Sequence, residues 1–296
     1  MKEVLTILLC VGCVLNIVSC NSTFNPDGPF AEKMVVYAVF SSRSDTQFVR
    51  VYTTSSSLSS STDNGVQDAR VVITQGDSVY QFQDTTVERS DTTRYTTRLK
   101  AYVMYRLHLT PGLRYGLSVV SPSHGSAASQ ATGLFRGTMN TELTTSSSIT
   151  VRVFPGVNAR AHIVRMYLEY EKREDSVWVP GRIEIPMRIT SAGERLYPKP
   201  VSREVQRVNF ELTAYATAIA GLRQVGLVRP LRTVFVLTQL DEALYAYYST
   251  ANGFPDTGTL RLDEPDYTNI EGGFGVFGMT SETILVADTS GQIIHP

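Results

Sequence analysis

The sequence predicts a mainly β protein, with a β-sandwich in its N-terminal half followed by a β-rich α+β domain. Three observations support this fold class. Short segments rich in β-branched and aromatic residues recur at regular spacing, a Pro-Gly turn leads into a tyrosine-containing strand at residues 109–115, and only two stretches show helical periodicity. We therefore expect domains at residues 34–132 and 145–296, with one or two short helices in the second.

The N-terminal half contains about seven candidate strands, the number typical of an immunoglobulin-like sandwich. Polar turns separate them, and the serine-rich segment 53–65 reads as a solvated loop. The strands are expected at residues 35–40, 48–52, 69–74, 79–82, 95–99, 105–109 and 115–120.

The most specific architectural signal is the segment Leu-Thr-Pro-Gly-Leu-Arg-Tyr at residues 109–115. Pro111 and Gly112 make a turn, and Leu109 is expected to pack inward. Tyr115 can bury its ring while its hydroxyl bonds to upstream backbone, as in the tyrosine corner of immunoglobulin and fibronectin type III domains. This motif predicts a sandwich of that type and carries no chemistry.

Strand patterns continue after a segment at 127–145 that is rich in Ser, Thr, Ala and Gly, which we interpret as joining the two halves. Within residues 162–170, odd-numbered residues face one way and even-numbered residues the other, as a half-buried strand requires. Further strands are expected at 149–153, 182–189 and 233–237, with a turn at 178–181.

Two stretches are predicted to be helical. The first has an apolar stripe at spacings of three and four, made of Val205, Val208, Leu212, Tyr215 and Ile219. Ser202 is its expected N-cap. The second helix is expected at 241–250, with Leu244, Tyr245 and Tyr248 on one side.

The first twenty residues predict where the protein is attached. Residues 4–18 form an apolar run of about 15 residues, which suits a signal-peptide core and is shorter than the roughly 20 residues of a spanning helix. The run closes on Val18 and Ser19 before Cys20, as in a bacterial lipobox. We expect a signal peptide at 1–19, a lipid on Cys20, and a tether at 20–33.

Composition excludes several classes of function. The formal net charge is −1, which leaves no electrostatic basis for nucleic-acid binding. All three cysteines, Cys10, Cys13 and Cys20, lie in or at the end of the leader. The folded part therefore has no disulfide and no thiolate metal site.

One motif formally matches a dinucleotide-binding fingerprint, the GxGxxG run at residues 273–278. That fingerprint requires a preceding strand, a following helix and an acidic residue about 20 positions on. The short remainder of the chain reads as a strand and a tail, so we reject nucleotide binding. The glycines instead predict a strand whose backbone bends or is closely approached.

No catalytic or metal-binding residues are predicted, and no cofactor. His108, His124, His162 and His295 include no pair at metal-ligand spacing, and no serine sits in a recognisable nucleophile motif.

Two clusters admit a ligand but favour a simpler interpretation. The acidic cluster of Asp263, Glu264 and Asp266 lacks the full ligand set of a calcium loop and reads as a solvated turn, with ion binding left open. The tyrosines Tyr245, Tyr247 and Tyr248 could line a glycan or peptide surface, although their spacing favours core packing.

The segment Asn-Ile-Glu-Gly-Gly-Phe-Gly-Val-Phe-Gly at residues 269–278, with the lipobox, the strand at 35–40, Asp-Ala-Arg-Val at 68–71 and the helix around Leu244, resembles a known family. It is the Bacteroidota lipoprotein family called domain of unknown function 4249. The resemblance implies an envelope lipoprotein with an immunoglobulin-like N-terminal half, in a family whose members often accompany TonB-dependent receptors. It implies no catalytic or ligand-binding residues.

We therefore expect a non-enzymatic accessory or binding protein, anchored to the outer membrane through lipid on Cys20 and associated with an outer-membrane protein such as a TonB-dependent receptor. The face of the membrane that it occupies stays open. The alternative is a structural or adhesive surface lipoprotein that binds glycan or matrix. A third hypothesis, a hydrolase, requires convergent carboxylates or a Ser/His pair in a pocket.

Overall fold

The computed structural model describes residues 32–54, 65–87, 99–145, 147–250, 267–287 and 293–294. From Glu32 onward they belong to one compact unit. Within these ranges, no helix is long and apolar enough to cross a membrane. The expected signal peptide, Cys20, most of the tether, the acidic cluster at 263–266 and His295 lie outside the described residues.

Strands dominate the described chain, and two helices accompany them. The helices are α1 (Leu212–Gln224) and α2 (Glu242–Thr250). The strands are β1 (Met34–Ser41), β2 (Gln47–Thr53), β3 (Arg70–Gln75), β4 (Ser78–Gln81), β5 (Gln83–Val87), β6 (Leu99–Met104), β7 (Arg114–Ser121), β8 (Gly125–Thr132), β9 (Thr138–Thr145), β10 (Ser148–Phe154), β11 (Ala161–Glu174), β12 (Val177–Ile185), β13 (Arg188–Ile189), β14 (Arg195–Leu196), β15 (Val201–Ser202), β16 (Arg207–Glu211), β17 (Val228–Leu240), β18 (Phe274–Ala287) and β19 (Ile293–Ile294).

The largest sheet has ten strands, in the order β12-β11-β17-β18-β1-β2-β6-β5, with β15 beside β11 and β19 beside β18. Its centre is a parallel pair, β1 and β18, in which Val35 lies opposite Phe274 and Ser41 opposite Thr280. These two strands come from opposite ends of the described chain. Consequently, strands from both predicted segments, 34–132 and 145–296, belong to one sheet.

A sandwich forms at the N-terminal end of this sheet. The four-stranded sheet β4-β3-β7-β8 packs over β1, β2 and β6. One hydrophobic cluster fills the space between them and includes Phe40 and Val49 from one sheet and Ile73 and Leu117 from the other. The predicted mainly β fold with a sandwich is confirmed.

The tyrosine corner is confirmed in detail. The Tyr115 ring is fully buried, and its hydroxyl oxygen accepts a hydrogen bond from the Thr110 backbone N–H at 2.8 Å. Gly112 has φ +79°, a conformation that a side chain would strain. This local geometry holds the entry to β7 against the core.

The second hydrophobic cluster lies under the other half of the ten-stranded sheet. The three-stranded sheet β16-β10-β9 and helix α1 contribute to it, together with β11, β12 and β17. Phe210 and Phe235 meet edge to face in this cluster, with ring centroids 6.2 Å apart. Burying an aromatic side chain of this kind stabilises the fold by about 1.5–3 kcal/mol.

The predicted start of the first helix was wrong. Residues 207–211 form β16, which pairs with β10 and alternately buries Val208 and Phe210. Ser202 lies in β15 rather than at a helix N-cap. Helix α1 begins only at Leu212, because the pairing with β10 overrides the helical spacing of the apolar residues.

Other sequence predictions were wrong for similar reasons. Residues 127–145 lead from the sandwich to the second cluster, but most of them are strand, since Ala127 and Ala131 alternate into the core as small buried residues of β8. Residues 105–109 are not a strand, because Arg106 adopts φ +60°. Of the predicted strand 95–99, only Leu99 falls within the described residues.

The predicted turn at 178–181 lies instead inside β12, which pairs with β11 along its whole length. The chain reverses at Asp175 and Ser176, whose φ values are +44° and +75°. Pro180 is tolerated in β12 because this strand forms an edge of the sheet, where a missing backbone donor costs little.

Candidate functional site

The glycine-rich segment at 272–278 is built for close backbone packing. Gly275 has φ +109°, and a Cβ on it would overlap the carbonyl oxygen of Val36 in the parallel partner strand. A Cβ on Gly278 would likewise overlap the Leu244 side chain of α2. The prediction that backbone approaches closely here is confirmed.

Asn269, which begins this motif, supports the same arrangement. Its Nδ2 donates to the Phe277 carbonyl at 2.8 Å, and its Oδ1 accepts from the Phe277 N–H at 2.9 Å. The side chain therefore pairs with β18 in the way that a neighbouring strand would. We conclude that the motif positions β18 between β1 and α2.

The tyrosines of α2 pack in the core. Tyr247 and Tyr248 are buried, and the Tyr248 hydroxyl lies 2.5 Å from that of Tyr37 on β1. Tyr245 is half-buried beside the Arg160 guanidinium. The core interpretation is confirmed for two of the three rings, with Tyr247 rather than Tyr245 on the buried side.

Asp241 precedes α2 and is an almost fully enclosed carboxyl group. Its two oxygens accept from the backbone N–H groups of Leu244, at 2.9 Å, and Met279, at 2.7 Å. Burial raises its pKa to about 6, although these two hydrogen bonds act in the opposite direction. Because both oxygens are bonded to backbone, Asp241 acts as a helix cap and a clamp on β18.

A Ser/His pair does occur, in the turn between β7 and β8. The Ser123 hydroxyl lies 2.7 Å from His124 Nδ1, and both Ser121 and Ser123 donate to the Asp68 carboxylate at 2.7 Å. These hydrogen bonds lower the pKa of Asp68, which makes it a weak base. Asp68 and Ser123 are exposed, and the hydrogen bonds favour stabilisation of the turn over nucleophilic catalysis.

Metal binding has no support among the side chains that the structure describes. They form no group of three or more His, Cys, Asp or Glu residues able to hold an ion. His162 is buried inside the fold, whereas His108 is exposed.

The strongest candidate for a binding surface is the outer face of β11, β12 and β17. Odd-numbered residues of β11 point away from the second hydrophobic cluster, as their sequence alternation predicts. Direct register places Glu169 between Arg182 on one neighbour and Arg232 on the other, and Glu171 beside Arg229. Facing residues of adjacent strands share a side of the sheet.

We call this surface the charged face. It consists of Arg165, Tyr167, Glu169, Glu171, Trp178, Arg182, Glu184, Arg229 and Arg232. Its carboxylates and guanidinium groups form pairs: Arg232 donates to Glu169 at 2.6 Å, Arg229 donates to Glu171, and Arg165 lies 3.7 Å from Glu184.

Both aromatic rings of the charged face are stacked against arginine. The Arg182 guanidinium carbon lies 3.9 Å from the Tyr167 ring centroid, and that of Arg229 lies 4.7 Å from the Trp178 ring. Such contacts contribute about 0.5–1 kcal/mol each at exposed sites, and exposed ion pairs contribute about 0–1 kcal/mol. Stability therefore gives little reason for this concentration of Arg, Glu and aromatic residues.

An apolar tip adjoins the charged face where β12 and β17 begin. It consists of Val177, Val225 and Leu227, whose exposed fractions are 63%, 63% and 65%. The Arg173 N–H donates to the Leu227 carbonyl, and Arg173 lies opposite Trp178 in register, which brings the tip beside the aromatic residue.

Farther along β18, Arg43 and Glu282 form an ion pair of 3.1 Å. Both residues line two cavities, of about 670 and 430 Å³. His108 and Asp45 line the first and Arg136 lines the second. This mixture of charges shows no arrangement for a particular reaction.

Sequence reasoning predicted the alternation of β11 but missed the charged face. Arg229 and Arg232 lie about 60 positions from their partners in the chain, and no local pattern links them. A usable signal was the repeated Arg and Glu at alternate positions of 165–171 and 182–184.

Three solved structures illustrate what this chain is similar to. The FN1-FN3 domains of chicken CNTN1 match with 12% identity and a TM-score of 0.24. The match covers 69% of this chain and 59% of the CNTN1 chain, which is less than two thirds of the CNTN1 chain's length. A cytokine receptor complex matches with 8% identity and a TM-score of 0.24, over 71% and 86%. A two-domain fibronectin type III segment of chicken tenascin matches with 10% identity and a TM-score of 0.17, over 71% and 90%.

Comparison with curated proteins finds no match. The comparison with protein families does find one, over residues 21–178, which make up more than half of the chain. The matched region includes the sandwich, the tyrosine corner, β11 and the first residues of β12. The chain belongs to the family described as Domain of unknown function (DUF4249).

Proposed function

We propose that this protein is a lipid-anchored accessory protein of the outer membrane of Bacteroidota, acting by binding rather than catalysis. Its partner is an envelope protein, such as a TonB-dependent receptor, and the charged face is its contact surface. The single observation that carries the proposal is the concentration of Arg, Tyr and Trp on one open sheet face.

These residue types support a protein partner. Trp, Tyr and Arg are the residues that most often dominate the energy of protein–protein contacts. Arg229 and Arg232 have exposed side chains, while their partners Glu171 and Glu169 are three-quarters buried. The guanidinium groups are therefore presented outward, where they can bond to a partner's carboxylates and guide its approach.

The strand directions place the apolar tip far from the start of the first strand. β1 begins at Met34, just after the tether, and β18 runs parallel to it. The end of β18, at Ala287, lies beside Thr233, and β17 extends past it toward Val228. The apolar tip thus lies at the end of the sheet opposite to Met34.

The glycan-binding alternative has less support. Sugar recognition commonly uses an open aromatic face, whereas one face of Tyr167 and one of Trp178 are already covered by guanidinium groups. A sugar that stacked there would have to displace an arginine. Binding of purified glycans or matrix with no receptor present would nevertheless favour this alternative.

Affinity purification from detergent-solubilised membranes tests the proposal. We expect an outer-membrane protein to copurify with the wild-type chain and to be reduced at least about tenfold by Arg229→Glu with Arg232→Glu, since each change replaces attraction with repulsion. Arg188→Glu is a matched control, because Arg188 also forms an exposed pair, with Glu211 at 3.4 Å, away from the charged face.

Two results would count against the proposal. One is the absence of any outer-membrane partner under several growth conditions. The other is an equal loss of partner in the Arg188→Glu control, which would mean that the charged face is not the contact surface.

The anchor has a separate test. We expect Cys20→Ala to abolish metabolic labelling with fatty acid and to release the folded protein in soluble form, since the cysteine thiol is the acylation site. Continued labelling of the variant would remove the support for lipidation. This outcome is independent of the copurification result.

A further inference from the structure

A row of polar side chains crosses the inner face of the ten-stranded sheet. We call it the polar belt, and it consists of His162, Gln239, Ser281 and Ser42. Register places His162 opposite Gln239 and Gln239 opposite Ser281, and the Ser42 N–H donates to the carbonyl of the residue before Ser281. The first three residues are completely or almost completely buried.

The polar belt separates the two large hydrophobic clusters. Two residues before Ser281, Met279 belongs to the cluster of the sandwich. Two residues before Gln239, Leu237 belongs to the cluster under α1. One continuous sheet therefore carries two cores, and a polar boundary runs between them.

Gln239 ties the connecting segments of the chain to this boundary. Its Oε1 accepts from the Gly156 N–H at 2.6 Å, and its Nε2 donates to the Phe135 carbonyl at 3.1 Å. A Cβ on Gly137 would lie only 2.7 Å from the same Oε1. Phe135 and Gly137 lie between β8 and β9, where the chain passes from the first core to the second, and Gly156 lies between β10 and β11 of the second core.

His162 is a buried residue of the belt whose side chain is not hydrogen-bonded within the described part of the chain. Neither of its ring nitrogens has a hydrogen-bond partner among the described protein atoms. The Ser281 hydroxyl has none there either. Burial alone lowers the pKa of His162, to about 4. The neutral ring is tolerated, whereas a charged ring would need two acceptors.

The charged groups around the belt already have other partners. Arg160 pairs with Glu242 at 2.9 Å, Arg43 pairs with Glu282, Arg203 donates to the Val157 carbonyl, and Asp241 accepts from two backbone amides. No carboxylate contributes to the His162 pKa. A proton on this ring would therefore meet no compensating charge.

We propose that the polar belt is an acid-sensitive joint between the two cores, in which protonation of His162 releases the connecting segments from Gln239. A protonated ring donates from both nitrogens, and Gln239 Oε1 on the adjoining strand is the acceptor that it can take over. Gly156 then loses its hydrogen bond. This inference does not depend on the identity of any partner.

Hydrogen exchange of the full chain, with labelling times corrected for the intrinsic effect of pH, tests the joint. Between pH 7 and pH 4.5 we expect protection of the connecting segments, residues 133–137 and 155–160, to fall roughly ten- to hundredfold, while β7 keeps its protection. His162→Gln should abolish this change, and His108→Gln, an exposed histidine, should leave it intact. Unchanged protection in the wild type, or the same loss in His162→Gln, would overturn the proposal.

A second measurement covers the case in which His162→Gln fails to fold. In wild-type protein, NMR should show one imidazole that does not titrate above about pH 5 and a Gly156 amide that shifts with it. A His162 signal that titrates near 6.5 with no response of Gly156 would contradict the joint.

Discussion

The two faces of β11 differ in what they contribute. On the inner face, Met166 and Leu168 are fully buried in the second hydrophobic cluster. On the outer face, Arg165, Tyr167 and Glu169 are only partly buried. Arg165 lies 3.7 Å from Glu184, and Glu169 forms an ion pair with Arg232. The comparison teaches that one strand can supply stability from one side and, from the other, the charged face that we propose as a binding surface.

The largest expected effect concerns the close contact that brings β1 and β18 together. Gly275→Ala would combine an unfavourable φ of +109° with overlap on the Val36 carbonyl, so we expect a loss of more than about 4 kcal/mol. Urea unfolding measures it. Gly76→Ala is the control, because Gly76 has φ +55° with open space around it and should lose only about 1 kcal/mol. Equal losses would show that overlap does not matter.

Neighbouring residues of β11 give the most direct test of the two faces. Leu168→Ala should cost about 2–5 kcal/mol of unfolding free energy, because it leaves a cavity in the second cluster. Glu169→Ala should cost less than about 1 kcal/mol, since the Arg232 side chain of its ion pair is 53% exposed. Similar costs for the two variants would remove the distinction between the faces.

The buried carboxyl group of Asp241 should make the free energy of unfolding depend on pH. Because its folded-state pKa is raised to about 6, above its ordinary value of 3.8, its contribution is fully present below pH 3.8 and is lost as pH rises through 6. We expect up to about 3 kcal/mol of this dependence to disappear in Asp241→Asn.

The check is urea unfolding of wild type and variant at pH 4.5 and pH 7. Comparison at each pH cancels the opposite dependence of His162. Glu194→Gln, which changes an exposed carboxyl group between β13 and β14, is the control and should keep the wild-type profile. A variant with the full wild-type dependence would show that Asp241 does not titrate in this range.

A smaller loss than at Gly275 or Leu168 is expected at the tyrosine corner. Tyr115→Phe keeps the buried ring but leaves the Thr110 N–H without its acceptor, so we expect a loss of about 1–2 kcal/mol. Thermal unfolding is a sufficient measurement. A change indistinguishable from zero would mean that water replaces the hydroxyl.

Much of the fold was predictable because its signals are local. The strands at 35–40, 48–52 and 115–120, the second helix and the tyrosine corner were all predicted correctly, since alternation and turn chemistry need only neighbouring residues. The first helix was placed too early because Val208 fits both the helical and the strand period, whereas Phe210 fits only the strand alternation. Pairing of β16 with β10 decided between them.

The candidate site was far less predictable. The alternation of β11 indicated which of its residues share a face, but not that Arg182 would lie on one side of Glu169 and Arg232 on the other. Likewise, His162 gave no sign in the sequence of standing beside Gln239 and Ser281. Each of these contacts joins residues that are distant in the chain.

By itself, the sequence determined the strand-rich character of this protein, its tyrosine corner, the glycines that admit a close strand contact, and its membership of a family. Tertiary structure alone decided that β1 pairs with β18, that one sheet serves two cores, and that arginines and glutamates converge on the charged face. Side-chain period is a local property, whereas strand order depends on which distant segments bury the most apolar surface together.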